Sequence, residues 1–264
     1  MLDTPEAGDE LRTVEVLGVP ISVIDIDSAL DTIAGWITQG KPRFITAVDV
    51  HGVMTAQGSP THLADLRGAD MVAPDGQPLV WVGRARGCRG MRRVAGPDLL
   101  QRLCARSNAE GWRHYFYGGA TGVADELVSR LRRDNSRLNV VGIECPPFRP
   151  LTHAEKRNAA SRINASGADI VWVGLGCPKQ ERWIGDVLPH IDRAILIAVG
   201  AAFDFHSGNI KRAPRWMQRS GLEWLHRLYS EPRRLWRRYL ILAPSFILMV
   251  ARETVVNARR RPSA

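Results

Sequence analysis

Short apolar runs alternate along the chain with longer stretches in which apolar positions recur every three or four residues, from about Arg43 to Val199. The runs have strand length, and several keep consecutive positions apolar instead of every second one. A strand covered on both faces needs that pattern, so the runs predict a mostly parallel sheet with helices on each side. The predicted strands are Arg43 to Val48, Met71 to Val72, His114 to Tyr117, Asn139 to Ile143, Asp169 to Val173 and Ala194 to Val199. Between them, Pro97 to Ala109, Gly122 to Arg133 and Thr152 to Ser166 read as helices. The third is the best marked, because Thr152 and Glu155 have the spacing of a capping box and Gly167 supplies a left-handed stop. The fold class is α/β, a Rossmann-like sheet whose ligands meet the carboxyl ends of the strands.

Beyond Gly208 the pattern changes. Leu222, Leu225, Leu228 and Tyr229 recur at helical spacing, and Ser230 with Pro232 reads as a cap and first-turn proline that restart the helix. Leu235, Trp236, Tyr239 and Leu240 then form an apolar stripe opposite Arg233, Arg234, Arg237 and Arg238. The uncharged stretch from Tyr239 to Ala251 is 13 residues long and contains Pro244. A spanning helix needs about 20 residues, so this segment is expected to lie on a membrane or in a partner's groove. A body of residues 1–207 and a basic amphipathic appendage of residues 208–264 are the expected division.

Charge sharpens that division. The chain carries a formal net charge of +9, but from His206 onward there are 13 Arg and Lys against 3 Asp and Glu. The rest holds 23 against 24. A near-neutral body with a cationic tail points to a local anionic partner, not to a globally cationic protein. Cys88, Cys104, Cys145 and Cys177 are widely spaced, with no C-x-x-C and no histidine at ligand spacing, so reduced thiols are expected and neither a zinc site nor a disulfide framework is indicated. The acidic N-terminal stretch lacks the basic and apolar regions of a signal peptide.

Four segments offer chemistry at predicted strand ends. In "FITAVDVHGV", Thr46 and Asp49 present a hydroxyl and a carboxylate. In "ADMVAPDGQPLVW", Asp75 precedes Gly76 in what is by default a plain turn, although a carboxylate on such a turn can serve as a general base. In "HYFYGGATGVADELVSRL", Gly118 and Gly119 lead into a helix. Glycines there let backbone N–H groups approach an anion, or else let a helix and the sheet pack closely. The spacing is not G-x-G-x-x-G and no acidic residue follows as a nicotinamide ribose requires, so a nicotinamide cofactor is disfavoured. In "DIVWVGLGCPKQERW", Gly174 and Gly176 precede Lys179, Gln180 and Glu181. Lys179 suits a phosphate and Gln180 suits hydroxyls or an amide, while the alternative is a solvated first helical turn.

Taken together these segments resemble the WecG/TagA/CpsF family of bacterial glycosyltransferases, glycosyltransferase family 26. The resemblance runs from about Val14 to Tyr239 and is densest in "GLGCPKQERWI" and the stretch from "AVGAAFDFHSGNIKRAPRW" to "SEPRRLWRRYL", with "PDGQPLVW", "RVAGPDL" and "YFYGGATGVA" in support. It implies an inverting enzyme that moves a sugar, commonly N-acetylmannosamine, its uronic acid or glucose, from a UDP-activated donor to a polyprenyl-diphosphate-linked acceptor at the inner face of the cell membrane. It further implies Asp75 as general base, Thr46, Arg93 and Gln180 in the active site, and Arg227, Arg234 and Arg237 closing over the donor diphosphate. With arginines in that role no metal and no other cofactor is expected, and the Asp25 to Asp27 "DID" pair is read as structural. One departure stands out: Asp49 occupies a position where the family usually has asparagine. Homo-oligomers are compatible with the resemblance. A nucleic-acid binder or a non-catalytic membrane scaffold would use the same basic tail but would leave the "PDG" and "PKQE" segments without a role.

Overall fold

The computed structural model describes residues 11–208, 213, 214, 216, 217 and 220–260. Six parallel strands, β3 (Arg43–Val48), β4 (Met71–Pro74), β5 (Arg113–Gly118), β6 (Asn139–Glu144), β7 (Ile170–Gly174) and β8 (Ile195–Ala198), form one sheet in the order β4-β3-β8-β7-β5-β6. All six match the runs read from sequence, with ends shifted by a residue or two. Alternate side chains of the central strands serve opposite cores. Ile170 and Trp172 of β7 and Ile195 and Ile197 of β8 face one cluster with Phe116, while Val171, Val173, Leu196 and Ala198 face the other with Tyr115 and Tyr117. Burial on both faces is why these strands read as unbroken apolar runs.

Helices α1 (Ile26–Gln39), α5 (Gly96–Glu110) and α6 (Val123–Asp134) cover the first face, and α7 (His153–Ser166) and α8 (Lys179–Val187) the second. In α7, Thr152 and Glu155 form the expected capping box and Gly167 is left-handed. Asp25 caps α1 and Asp27 pairs with Arg102 at 3.0 Å, so this pair of acids serves the helix and its neighbour. Short helices α2 (Val50–Gln57), α3 (Pro60–Arg67) and α4 (Gln77–Ala85) pack with the β1 (Thr13–Val16) and β2 (Val19–Ser22) hairpin into a third cluster at the β4 edge. A five-residue helix, α9 (Ala202–His206), follows β8.

The C-terminal segment is helical over Glu223–Ser230, Pro232–Arg237 and Ala243–Arg260, with a π turn at Arg238–Leu242 between the last two. The break falls at Glu231, with Pro232 in the next first turn. Ser230 does not cap it, because its hydroxyl donates back to the His226 carbonyl at 2.9 Å. Pro244 does not interrupt the segment. It lies in the first turn after the π turn, where the missing N–H is accommodated by the altered pairing. The stretch Leu235–Val256 is 22 residues long and contains an 18-residue window of mean hydropathy 1.6, long and apolar enough to cross a membrane by those measures, so the 13-residue uncharged core understated it. One face nevertheless lies on the body. Phe246 is buried in the third cluster, Val250 packs on it, and Glu253 pairs with Arg86 at 2.6 Å. The opposite face exposes Leu240, Ile241, Ile247 and Leu248.

Candidate active site

A cleft of about 1280 Å³ opens at the carboxyl ends of the strands. Loops after β3 to β8 line it, and Arg227, Leu235 and Arg238 close it from the C-terminal helices.

Asp75 enters the cleft from the turn after β4. Its backbone N–H donates to the Val48 carbonyl at 2.9 Å, which fixes the turn beside β3. Arg93 grips it from behind, donating through Nε to the Asp75 carbonyl and lying 3.2 Å from Oδ1 through Nη2. The same guanidinium is 2.7 Å from Glu223. Burial raises the Asp75 carboxyl above the usual carboxylate range, the Arg93 charge opposes this, and the charges of Asp49 and Glu223 add to the rise. A quarter of its side-chain surface remains open. The result is a carboxylate with raised proton affinity that faces the cavity, which is what a general base requires. Arg93 does not line the cleft; it positions Asp75.

Asp49 follows β3 and caps α2, accepting the Gly52 N–H at 3.2 Å, and its other oxygen accepts from Arg238. Burial alone would push its carboxyl up, but Arg238 and the cap bond hold it below the usual range. The departure from asparagine thus has a physical counterpart, since a carboxylate binds a guanidinium as an ion pair and an amide cannot. Burial and the Arg238 charge also hold the neighbouring His51 imidazole below its usual range.

Thr46 is turned inward, while Gln180, 1% exposed, lines the cleft with its amide engaged beneath it. Thr46 is fully buried and outside the cleft lining. Its hydroxyl donates to Glu181 Oε1 at 3.1 Å, and Gln180 Nε2 donates to the same oxygen at 2.9 Å. Gln180 Oε1 in turn accepts the Gly200 N–H at 3.0 Å. This network joins β3, α8 and the β8–α9 turn into the floor of the cleft. Glu181 is therefore not a solvated first-turn residue: it is 1% exposed, and burial raises its carboxyl.

The glycines divide by role. Gly118 has φ +121° and a Cβ there would sit 2.6 Å from the Gly174 carbonyl oxygen, so it permits the β5–β7 approach and does not line the cleft. Gly119 lines it, but its N–H already donates to the Gly174 carbonyl at 3.0 Å and is not offered to an anion. A Cβ on Gly174 would meet the Phe203 ring at 2.7 Å. Gly176, with φ +78°, lines the cleft, and a Cβ there would meet nothing within 4 Å among the described residues.

Cations arrive from α8 and from the C-terminal helices. Lys179 lies over the Phe148 ring at 4.5 Å, on a proline-rich loop after β6. Arg227 lies over Phe205 at 5.3 Å and lines the cleft with Arg238. Arg237 does not join them: it is exposed and stacks on Trp236. The Arg234 side chain lies outside the described residues. Arg238, on the cationic stripe of the sequence but not among the arginines that the family resemblance assigned to the site, lines the cleft and pairs with Asp49.

All four cysteines are free thiols. Sequence spacing showed no histidine partner for them, yet His62 Nε2 lies 3.6 Å from Cys177 Sγ across 115 residues.

A model of the glycosyl transferase WecG/TagA/CpsF family matches residues 14–260. A relative from Bacillus spizizenii, an N-acetylglucosaminyldiphosphoundecaprenol N-acetyl-beta-D-mannosaminyltransferase, is 33% identical over 246 residues, which are 91% of this chain and 93% of the relative.

Proposed function

The chain belongs to the WecG/TagA/CpsF family of glycosyl transferases, and from that premise we propose that it moves a sugar from a UDP-activated donor to a polyprenyl-diphosphate-linked sugar. N-acetylmannosamine is the first donor sugar to test, because the Bacillus spizizenii relative is named for its transfer. One observation supports the reading best: the Asp75 carboxylate and the Arg227 and Arg238 guanidiniums line a single cleft at the strand ends.

In this reading Asp75 accepts the proton of the acceptor hydroxyl as that oxygen attacks the anomeric carbon. The bond to the diphosphate oxygen breaks on the opposite face, so the anomeric centre inverts. Charge grows on the departing UDP, and Arg227 and Arg238 are close enough to the cleft to offset it, as preorganised cations in a water-poor site do. Arg237, which the family resemblance put in this role, is exposed on Trp236 and is not assigned to it. Asp25 and Asp27 serve α1, so no divalent cation on the diphosphate is part of the proposal. The outer face of the C-terminal helix is proposed to rest on the inner leaflet, where such acceptors reside. Glu253 and Phe246 keep its inner face on the body, which favours lying along the surface over crossing it.

The test is UDP release from a panel of UDP-sugars with a short-chain polyprenyl-diphosphate sugar as acceptor. Asp75→Asn is expected to lower turnover by about 100-fold or more while calorimetric UDP binding persists. Adding magnesium or manganese to chelator-treated enzyme is expected to leave the rate unchanged. Wild-type turnover in Asp75→Asn refutes the base assignment, and a rate restored only by divalent cation refutes the arginine assignment.

A further inference from the structure

We propose that His62, Cys177 and Glu181 form a binding site for a borderline-soft divalent cation of the zinc type, set in the floor of the cleft and separate from the donor diphosphate. One donor atom from each residue lies within 4.8 Å of the other two. The three come from different elements: His62 from α3, Cys177 from the turn after β7, and Glu181 from the first turn of α8.

Three observations carry the site. The first is distance. A tetrahedral zinc with bonds of about 2.0 Å to nitrogen and 2.3 Å to sulfur separates those two atoms by about 3.5 Å. His62 Nε2 and Cys177 Sγ are 3.6 Å apart.

The second is an unmet oxygen. Glu181 is 1% exposed, and its Oε1 already accepts from Thr46 and Gln180. Its Oε2 is buried without a partner among the described residues. An oxygen left in that state carries a desolvation cost that no hydrogen bond offsets, and a cation would complete it. The two bonds on Oε1 also fix the carboxylate plane, as groups behind a metal-bound carboxylate do.

The third is access and preorganisation. His62 is 2% exposed and its backbone N–H is capped by Ser59 at 3.2 Å, so α3 holds it rigidly. Cys177 lines the cleft, which gives an ion a route in. The mixed nitrogen, sulfur and oxygen set selects against magnesium and calcium, which take oxygen ligands. On binding, the Cys177 S–H bond breaks, the proton passes to solvent, and an S–metal bond forms. The bound ion would tie α3 to the turn that opens α8.

The probe is cobalt(II), which reports a thiolate ligand by a charge-transfer band in the near ultraviolet. The full chain, reduced and freed of metal with a chelator, is expected to bind one cobalt ion with that band, and one equivalent of zinc is expected to abolish it. Cys177→Ser should remove the band, while Cys145→Ser, which changes an exposed thiol, should leave it intact. His62→Gln should weaken binding by more than the roughly 10- to 100-fold that outer-shell partners contribute. Zinc should raise the melting temperature of the wild-type chain and not of Cys177→Ser, whose melt without metal serves as the folding control. Absence of the band in the wild-type chain, or its persistence in Cys177→Ser, overturns the proposal.

Discussion

Arg93 shows how a single side chain can matter without touching the cleft. It holds Asp75 between a guanidinium and a turn, and the same guanidinium anchors Glu223 from the C-terminal segment. A base works in its ionised form, so activity should fall as pH drops through the raised Asp75 value, at a higher pH than an ordinary aspartate would give. Arg93→Gln removes the cation that favours ionisation, and the acid limb of kcat/KM should therefore move to still higher pH, by about one pH unit or more. Arg93→Lys should keep the limb nearer the wild-type position. An unmoved limb in Arg93→Gln would mean that Arg93 only props the loop. At this scale the sequence was partly legible. Asp75 stands out as a carboxylate on a strand-end turn, but nothing in "PKQE" reveals that Gln180 and Glu181 point inward, because inward or outward depends on the phase of α8 against β3.

Elements were legible in proportion to their length and their caps. The 14 residues of α7 carry a capping box and a glycine stop, and both are formed. By contrast α2 and α4 have 8 and 9 residues, and the start of α2 is hidden in Asp49, which reads equally well as a ligand. The β1–β2 turn places Leu17 at φ +51° ahead of Gly18, where the usual hairpin signal is Asn-Gly or Asp-Gly. In the arginine run Arg238 lines the cleft and Arg237 is exposed on Trp236. Arg238→Gln should therefore raise the KM for donor or lower kcat, with about 10- to 100-fold loss in kcat/KM as expected for a charge-assisted contact of about 1.5–3 kcal/mol. Arg237→Gln should change it by less than about threefold, within the range of exposed charges. The reverse order in steady-state kinetics would mean that the helix turns on donor binding.

For the whole molecule, charge and shape agree. The basic tail and the exposed Leu240, Ile241, Ile247 and Leu248 belong to one C-terminal segment, which follows a body of net charge near zero. Each arginine near an anionic leaflet contributes roughly 1 kcal/mol, and the effect decays over a Debye length. The chain should thus co-sediment with phosphatidylglycerol vesicles at low salt, bind neutral vesicles far less, and be released as salt rises. Ile247→Asp on the outer face should reduce binding without altering the melt. Equal binding to neutral and anionic vesicles would remove the electrostatic part of this account. The composition split at His206 made this much legible, whereas the joining of Asp49 to Arg238, 189 residues away, depends on chain folding that no local pattern records.

The last helix bears lipid-type side chains outside and, one turn before it, the guanidinium that pairs with Asp49. Anything that grips the exterior, a micelle included, therefore has mechanical hold of a group inside the reaction chamber. Assays in different surfactants would then report different rate constants for the same polypeptide, and trimming the tail to improve handling would change the catalyst being measured.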